Sequence, residues 1–208
     1  SRGLGSSSAV IVSAITSAYA TEGIKVEKER LLNLSLAYES HPDNITPAVM
    51  GGFNVASVHE NEVKFITKSI PRTLRAVVVV PNRPISTTLS RKTLPYKYSK
   101  EDTIFNISHS SLLTAAFMSE NWEMLKYASA DMVHQQFRMR HMPELFEVQK
   151  TALKNGALMS TLSGSGSTFF SVAYSEDSQK LELALKEKFP HFRVMSVDFD
   201  NNGVKIEI

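Results

Sequence analysis

Apolar positions fall into clearly different patterns along this chain. In Ala9–Ala20 ("AVIVSAITSAYA") they lie nearly all round a helical wheel, which predicts a short buried helix rather than an amphipathic surface one. Ser6, Ser7 and Ser8 stand in front of it as candidate caps, since a serine hydroxyl accepts an orphan N–H of the first turn, and Gly23 marks its end. A second helix is predicted in "EKERLLNLSLAYES", where Leu31, Leu32, Leu34, Leu36 and Tyr38 include helical spacings. "HPDNITPAVMGG" reads as a turn into a short helix closed by Gly51 and Gly52. The runs "FNVASVHE" and "VKFITKSI" alternate as strands do, and Asn61-Glu62 between them predicts a hairpin.

"RAVVVVP" is a short apolar run stopped by Pro81 and predicts a buried strand. The middle is helical, over roughly Ile85–Lys92, Lys100–Ser119, Trp122–Val133 and Pro143–Asn155. The tail reads strand, turn, strand, helix, strand: "ALMSTLS", "GSGS", "TFFSVAY", "SQKLELALKEKF", "FRVMSVDF". With "RAVVVVP" and its helices in front, this is a β-α-β-β-α-β series, the split βαβ or ferredoxin-like arrangement of an α+β fold. A boundary falls near Ile70–Arg75, dividing the chain into 1–70 and 71–208.

Composition removes several function classes. The 208 residues are 42% hydrophobic, enough for a real core. Net charge is +2, from 23 basic and 21 acidic residues, so no nucleic-acid partner is expected. There is no cysteine, hence no disulfide, thiolate metal site or cysteine nucleophile. The six histidines lack HExxH spacing. No run of 18 apolar residues exists and no signal peptide is visible, so no membrane partner is expected and a cytoplasmic location is the reading.

Three stretches are candidates for chemistry. "GLGSSSA" opens the first helix, where unpaired N–H groups and a partial positive charge gather. Its glycines let a phosphate approach the backbone, and serine hydroxyls add donors and a ligand for Mg²⁺. No lysine follows, so it is not the GxxxxGK[ST] loop, and a capped helix after a mobile loop stands as the plain alternative. In "YESHPDN", Glu39, Asp43 and Asn44 lie close together. They are either helix termination, with Asp43 capping the next helix, or a carboxylate beside metal–phosphate with polar groups on a substrate. In "LSGSGSTFF", Gly164 and Gly166 serve a tight turn or bring N–H groups beside a ligand.

In this order, these stretches resemble the GHMP kinase superfamily. "GLGSSSA" is similar to its phosphate loop, usually G-L-G-S-S-A, and "LSGSGSTFF" to its S-G-[AS]-G-P-[ST] motif. "ESHPDNITPAVMGGF" resembles the E-G-H-x-D-N-x-x-P-x-x-x-G-G of the homoserine kinases in particular, whereas mevalonate kinase and galactokinase differ here. "PNRPISTTLSRKTLP" resembles their S-T-x-x-x-R-x-x-L-P segment, and "FRMRHMPEL" their YRxxLxP. The resemblance implies the two-domain GHMP kinase fold, with 1–70 the remainder of an N-terminal ATP-binding α/β domain and 71–208 the ferredoxin-like C-terminal domain. It implies ATP-dependent phosphorylation of L-homoserine to O-phospho-L-homoserine, a step toward threonine. An N-terminal P-x-S-x-N-L-G-x-G-F-D segment, which normally supplies the first strands and part of the homoserine and adenine sites, is expected to be missing before Ser1.

By the same resemblance, Arg2, Gly3, Leu4, Gly5, Ser6, Ser7 and Ser8 would bind the ATP phosphates, and Ser7 and Glu39 would hold Mg²⁺ as the catalytic pair. Asp43 and Asn44 would contact the amino acid. Arg91 and Arg138 would bind its carboxylate, and Gly164, Ser165 and Gly166 would close the pocket. Arg2 stands where Ser or Ala is usual, Ser8 replaces Ala, and Ser167 replaces a proline, which would loosen that turn. No residue stands out as a general base, His41 included, so the hydroxyl would be oriented and the phosphate would take its proton. The family is often dimeric, which admits a homodimer. A mevalonate-type substrate and a catalytically inactive GHMP-fold binding module are the competing readings.

Overall fold

The computed structural model describes residues 2–39, 41–83, 90 and 92–205. The chain forms two compact units. One comprises Gly5–Pro71 with Phe199–Ile208, and the other Ser1–Leu4 with Arg72–Asp198.

The first, helical unit contains α1 (Ser6–Thr21), α2 (Lys28–Leu36), α3 (Pro42–Met50), β1 (Phe53–His59) and β2 (Glu62–Lys68). Val12, Val26, Leu31, Leu32, Ile45, Val49 and Val63 form its core. Helix α1 is not the buried helix its composition predicts. Of its sixteen residues only Ser8 and Val12 are buried, and Val10 is 67% exposed. Uniform apolarity selects no face, and α2 and α3 cover only the side carrying Val12 and the partly buried Ile15 and Tyr19. The caps differ too. Gly5 is the N-cap of α1, in the left-handed region with no side-chain bond, so the serines are the first three helical residues. Helix α3 is capped by His41 without a side-chain bond, so Asp43 lies inside its first turn and does not cap it.

Strands β1 and β2 pair antiparallel from Phe53↔Lys68 to His59↔Glu62. The turn is therefore Glu60-Asn61, one residue earlier than expected, and both residues have positive φ, 49° and 63°. That is the backbone whose twist matches a two-residue hairpin. The segment after Phe199 closes this unit: Gly52 N donates to Asp200 O (2.8 Å), and Asn201 bonds both the N–H and the carbonyl of Ile70 (2.8 and 2.9 Å). The backbones approach so closely that a Cβ on Gly51 would lie 2.5 Å from Gly203 N.

The second, sheet unit holds β3 (Leu74–Val80), α4 (Lys100–Ser119), a 3₁₀ turn (Trp122–Met124), α5 (Leu125–Ala128), α6 (Gln135–Met139), α7 (Glu144–Lys154), β4 (Met159–Leu162), β5 (Phe169–Tyr174), α8 (Ser175–Lys188) and β6 (Arg193–Val197). Its sheet has the order β4-β5-β3-β6, all neighbours antiparallel. This is the split βαβ order expected from the strand and helix series. Helices α7 and α8 pack on the sheet, and Val77, Val79, Leu145, Val148, Phe169, Leu181 and Leu185 meet in the core. Helix α4 matches its predicted bounds, with Ser99 Oγ accepting Asp102 N at 2.9 Å. The predicted helix Trp122–Val133 stops at Ala128, and α6 was not expected at all. The predicted helix Ile85–Lys92 falls largely outside the described residues.

Candidate active site

In the sheet unit, β4 and β5 are joined by the Ser163–Thr168 turn. Gly164 and Gly166 have φ of 54° and 85°, a backbone that side-chain-bearing residues rarely adopt. The turn directs its carbonyls into the protein. Ser163 O accepts Gly166 N (2.9 Å), Gly164 O accepts Arg138 Nη1 (2.9 Å) and Ser165 O accepts Ser90 Oγ (2.8 Å). Among the described residues the amides of Gly164 and Ser165 donate to no protein acceptor.

Arg2 and Gly3 join this turn. Thr168 N donates to Arg2 O at 3.1 Å, and Ser163 Oγ to Gly3 O at 2.5 Å. A Cβ on Gly3 would stand 2.0 Å from Ser163 O, so only glycine fits. The Arg2 guanidinium points instead to Asn82 O (3.4 Å). Ser167 does not loosen the turn as its replacement of proline suggests: it is fully buried and donates to Arg83 O at 2.9 Å.

Arg138 lies on α6, and the same helix also holds the end of β4, next to the turn, through Gln135 Oε1, which accepts Leu162 N at 2.9 Å. The helix is capped by Asp131, whose carboxylate accepts Val133 N (2.9 Å), His134 N (2.9 Å), Gln135 N (2.5 Å) and Asn106 Nδ2 (2.9 Å). Burial pushes the Asp131 pKa up. The bonds from Gln135, Asn106, Val133 and His134 outweigh it and leave the carboxyl below its ordinary value. His134 is also held below its usual value, first by burial and then by Arg138, against the pull of Asp131. Sequence reasoning missed Asp131, Gln135 and Ser90, and read Ser167 only as loosening its turn. Ser90 stands next to Arg91, which lies outside the described residues, in the segment that carries the S-T-x-x-x-R resemblance.

In the helical unit, Ser6, Ser7 and Ser8 present the first N–H groups of α1, which have no partner within a helix. Among the described residues the Ser7 hydroxyl and the Glu39 carboxylate, which follows α2, have no side-chain partner. Asp43 and Asn44 are exposed on the first turn of α3, while Ile45, Thr46 and Val49 face inward. None of Ser7, Glu39, Asp43 and Asn44 is bonded to another. No group of three histidine, aspartate or glutamate side chains placed to hold a metal occurs among the described residues. The oxygen donors of Ser7 and Glu39 nonetheless fit Mg²⁺, which takes few protein ligands and keeps water and phosphate oxygens for the rest.

These features define a class. The GHMP kinases N terminal domain matches residues 1–52, and the GHMP kinases C terminal region matches 110–191. The homoserine kinase of Cytophaga hutchinsonii superposes on 97% of this chain and 67% of its own, with a TM-score of 0.89 and 25% identity. Mevalonate kinase of L. major shares the fold, with a TM-score of 0.71 at 17% identity over 96% of this chain and 67% of its own. Homoserine kinase of Aliarcobacter butzleri is 81% identical over all 208 residues, which make up 71% of that protein. Homoserine kinase of Helicobacter pylori strain J99 is 53% identical over 99% of this chain and 70% of its own length. The chain belongs to the homoserine kinase family of the GHMP kinases.

Proposed function

We propose that the Gly/Ser start of α1 and the Ser163–Thr168 turn serve the ATP-dependent phosphorylation of L-homoserine, giving O-phospho-L-homoserine and ADP on the way to threonine. The enzyme is a phosphotransferase with an alcohol acceptor. The observation that carries the substrate is the 81% identity with a homoserine kinase over all 208 residues. Mevalonate kinases share only the fold.

Phosphoryl transfer needs positioning and charge stabilisation more than covalent chemistry. The unpartnered amides of Ser6, Ser7 and Ser8 suit phosphate oxygens, as helix starts do. Arg2 and Leu4 flank Gly3, which lets the backbone run against the glycine turn. Ser7 and Glu39 would hold Mg²⁺, which when bound neutralises phosphate charge. Asp43 and Asn44 meet the amino acid, and Arg91 and Arg138 its carboxylate, a task suited to a planar guanidinium. Gly164, Ser165 and Gly166 close the pocket, with the first two amides available to a ligand. The homoserine hydroxyl is oriented for in-line attack and its proton passes to phosphate.

In this reading the enzyme works in the cytoplasm as a homodimer, which sedimentation of the purified protein tests. Among the described residues no helix is long and apolar enough to cross a membrane. Ser7→Ala and Glu39→Ala lower kcat by about 10²-fold or more, the size seen when a charge-stabilising group is lost. Near-normal turnover in both removes the metal assignment. A panel of alcohols assayed by ADP release identifies the substrate. Selective turnover of homoserine supports the reading, and preference for mevalonate or no turnover overturns it.

A further inference from the structure

We infer that Asp131 is the positioning residue of Arg138: it caps the short helix carrying that arginine and so sets where the guanidinium stands beside the glycine turn. The inference rests on the reading of Arg138 as a ligand of the homoserine carboxylate.

Helix α6 has only five residues, too few to hold its own shape. Its formal cap, His134, makes no side-chain bond to it. Asp131, three residues earlier, supplies what is missing. Its two oxygens collect the amides of Val133, His134 and Gln135, three consecutive N–H groups at the start of the helix. Asn106, on α4, fixes the carboxylate from behind. Its Nδ2 donates to Asp131 at 2.9 Å, while its Oδ1 accepts Met132 N at 2.7 Å. The Asp131 side chain is only 12% exposed, so water cannot readily take over these bonds.

From that anchor two arms reach across, one from each end of α6: one to the end of β4 and one to the glycine turn. Gln135, whose own amide is held by Asp131, accepts Leu162 N, and Arg138 donates to Gly164 O. Met139, 1% exposed, pins the far end in the core. Removing the carboxylate frees three amides at once at the start of α6, the end opposite Met139. The expected result is displacement of Arg138, with the core left in place.

The test measures kcat and KM for homoserine and for ATP in the intact enzyme. Asp131→Ala raises KM for homoserine about tenfold, with kcat and KM for ATP within about threefold of wild type. Asp131→Asn, which keeps one capping oxygen, recovers most of that loss. Arg138→Ala also raises KM, and adding Asp131→Ala to it raises KM no further, because the carboxylate acts through the arginine. If Arg138→Ala raises KM and Asp131→Ala does not, or if the two effects multiply, the inference fails while the arginine assignment stands. If Arg138→Ala leaves KM unchanged, that assignment falls and the inference with it. Should Asp131→Ala not fold, Asn106→Ala loosens the same carboxylate and is expected to raise KM by a smaller factor; no rise overturns the inference.

Discussion

Two segments of this chain have almost the same composition, "GLGSSS" and "SGSGS", yet the protein treats them differently. In the second, every carbonyl from Ser163 to Ser165 is taken by a protein donor, and Ser167 is sealed in. In the first, Gly5 caps α1 with empty space where a Cβ would be, and the Ser6–Ser8 amides await an acceptor. Glycine and serine thus do two jobs. In the turn the glycines adopt the positive φ that commits its carbonyls to protein donors. At the helix start no carbonyl anchoring of that kind is made, and three consecutive amides are left uncommitted, against two in the turn, which suits an anion that comes and goes. Gly3 belongs with the packed turn by its contacts, although it stands in the open loop's sequence.

The largest test of that contrast is Gly3→Ala. With φ of 74° and a Cβ 2.0 Å from Ser163 O, the variant is expected to lose about 3 kcal/mol or more, from left-handed backbone and overpacking together. Denaturant unfolding measures this, and a loss as small as that of Gly5→Ala would erase the distinction. Ser90→Ala strips Ser165 O of its buried donor and is expected to cost about 2 kcal/mol. Gly5→Ala meets nothing within 4 Å, so only the backbone cost of about 1 kcal/mol applies, a few degrees in Tm.

The smallest effect is on pH. Asp131 has a lowered pKa in the fold, so its contribution is present above the ordinary carboxylate range and is lost as pH falls below about 4. His134 is also lowered and favours its neutral form, so its contribution fades earlier, as pH falls below about 6.5. Thermal melts from pH 7 to 3 are expected to show Asp131→Asn flatter than wild type in the lower window, and an unchanged slope there would remove Asp131 from the acid response.

The strands of the sheet unit and helix α4 were legible because their patterns are local: "RAVVVV", "TFFSVAY" and the Ser99-capped run carry their own signals. The strand order followed from the number and order of elements. What escaped was set at a distance. Helix α6 has no periodicity worth reading and exists because a carboxylate outside it collects its amides. The exposure of α1 could not be read because an apolar helix does not say which side is covered. The turn at Glu60-Asn61 was displaced by one residue because register is fixed by pairing across the hairpin. Of the candidate site residues, the neighbourhood of Arg138 and Gly164 could be named in advance only through family motifs, since they are far apart in the chain. Ser90 reads as one more residue of the expected helix Ile85–Lys92, and Ser167 as a loosening replacement, until their acceptors are known.

The segment after Phe199 imposes an order on the making of the protein. The carbonyl of Asp200 and the amide of Asn201 complete bonds begun at Gly52 and Ile70, and Gly203 fits against Gly51. A ribosome delivers those partners only after everything from Arg72 to Asp198 has been made. The helical unit, whose first residues emerge early, must therefore wait with an unfinished edge while the later sheet unit gathers most of its chain. Birth order and completion order are reversed.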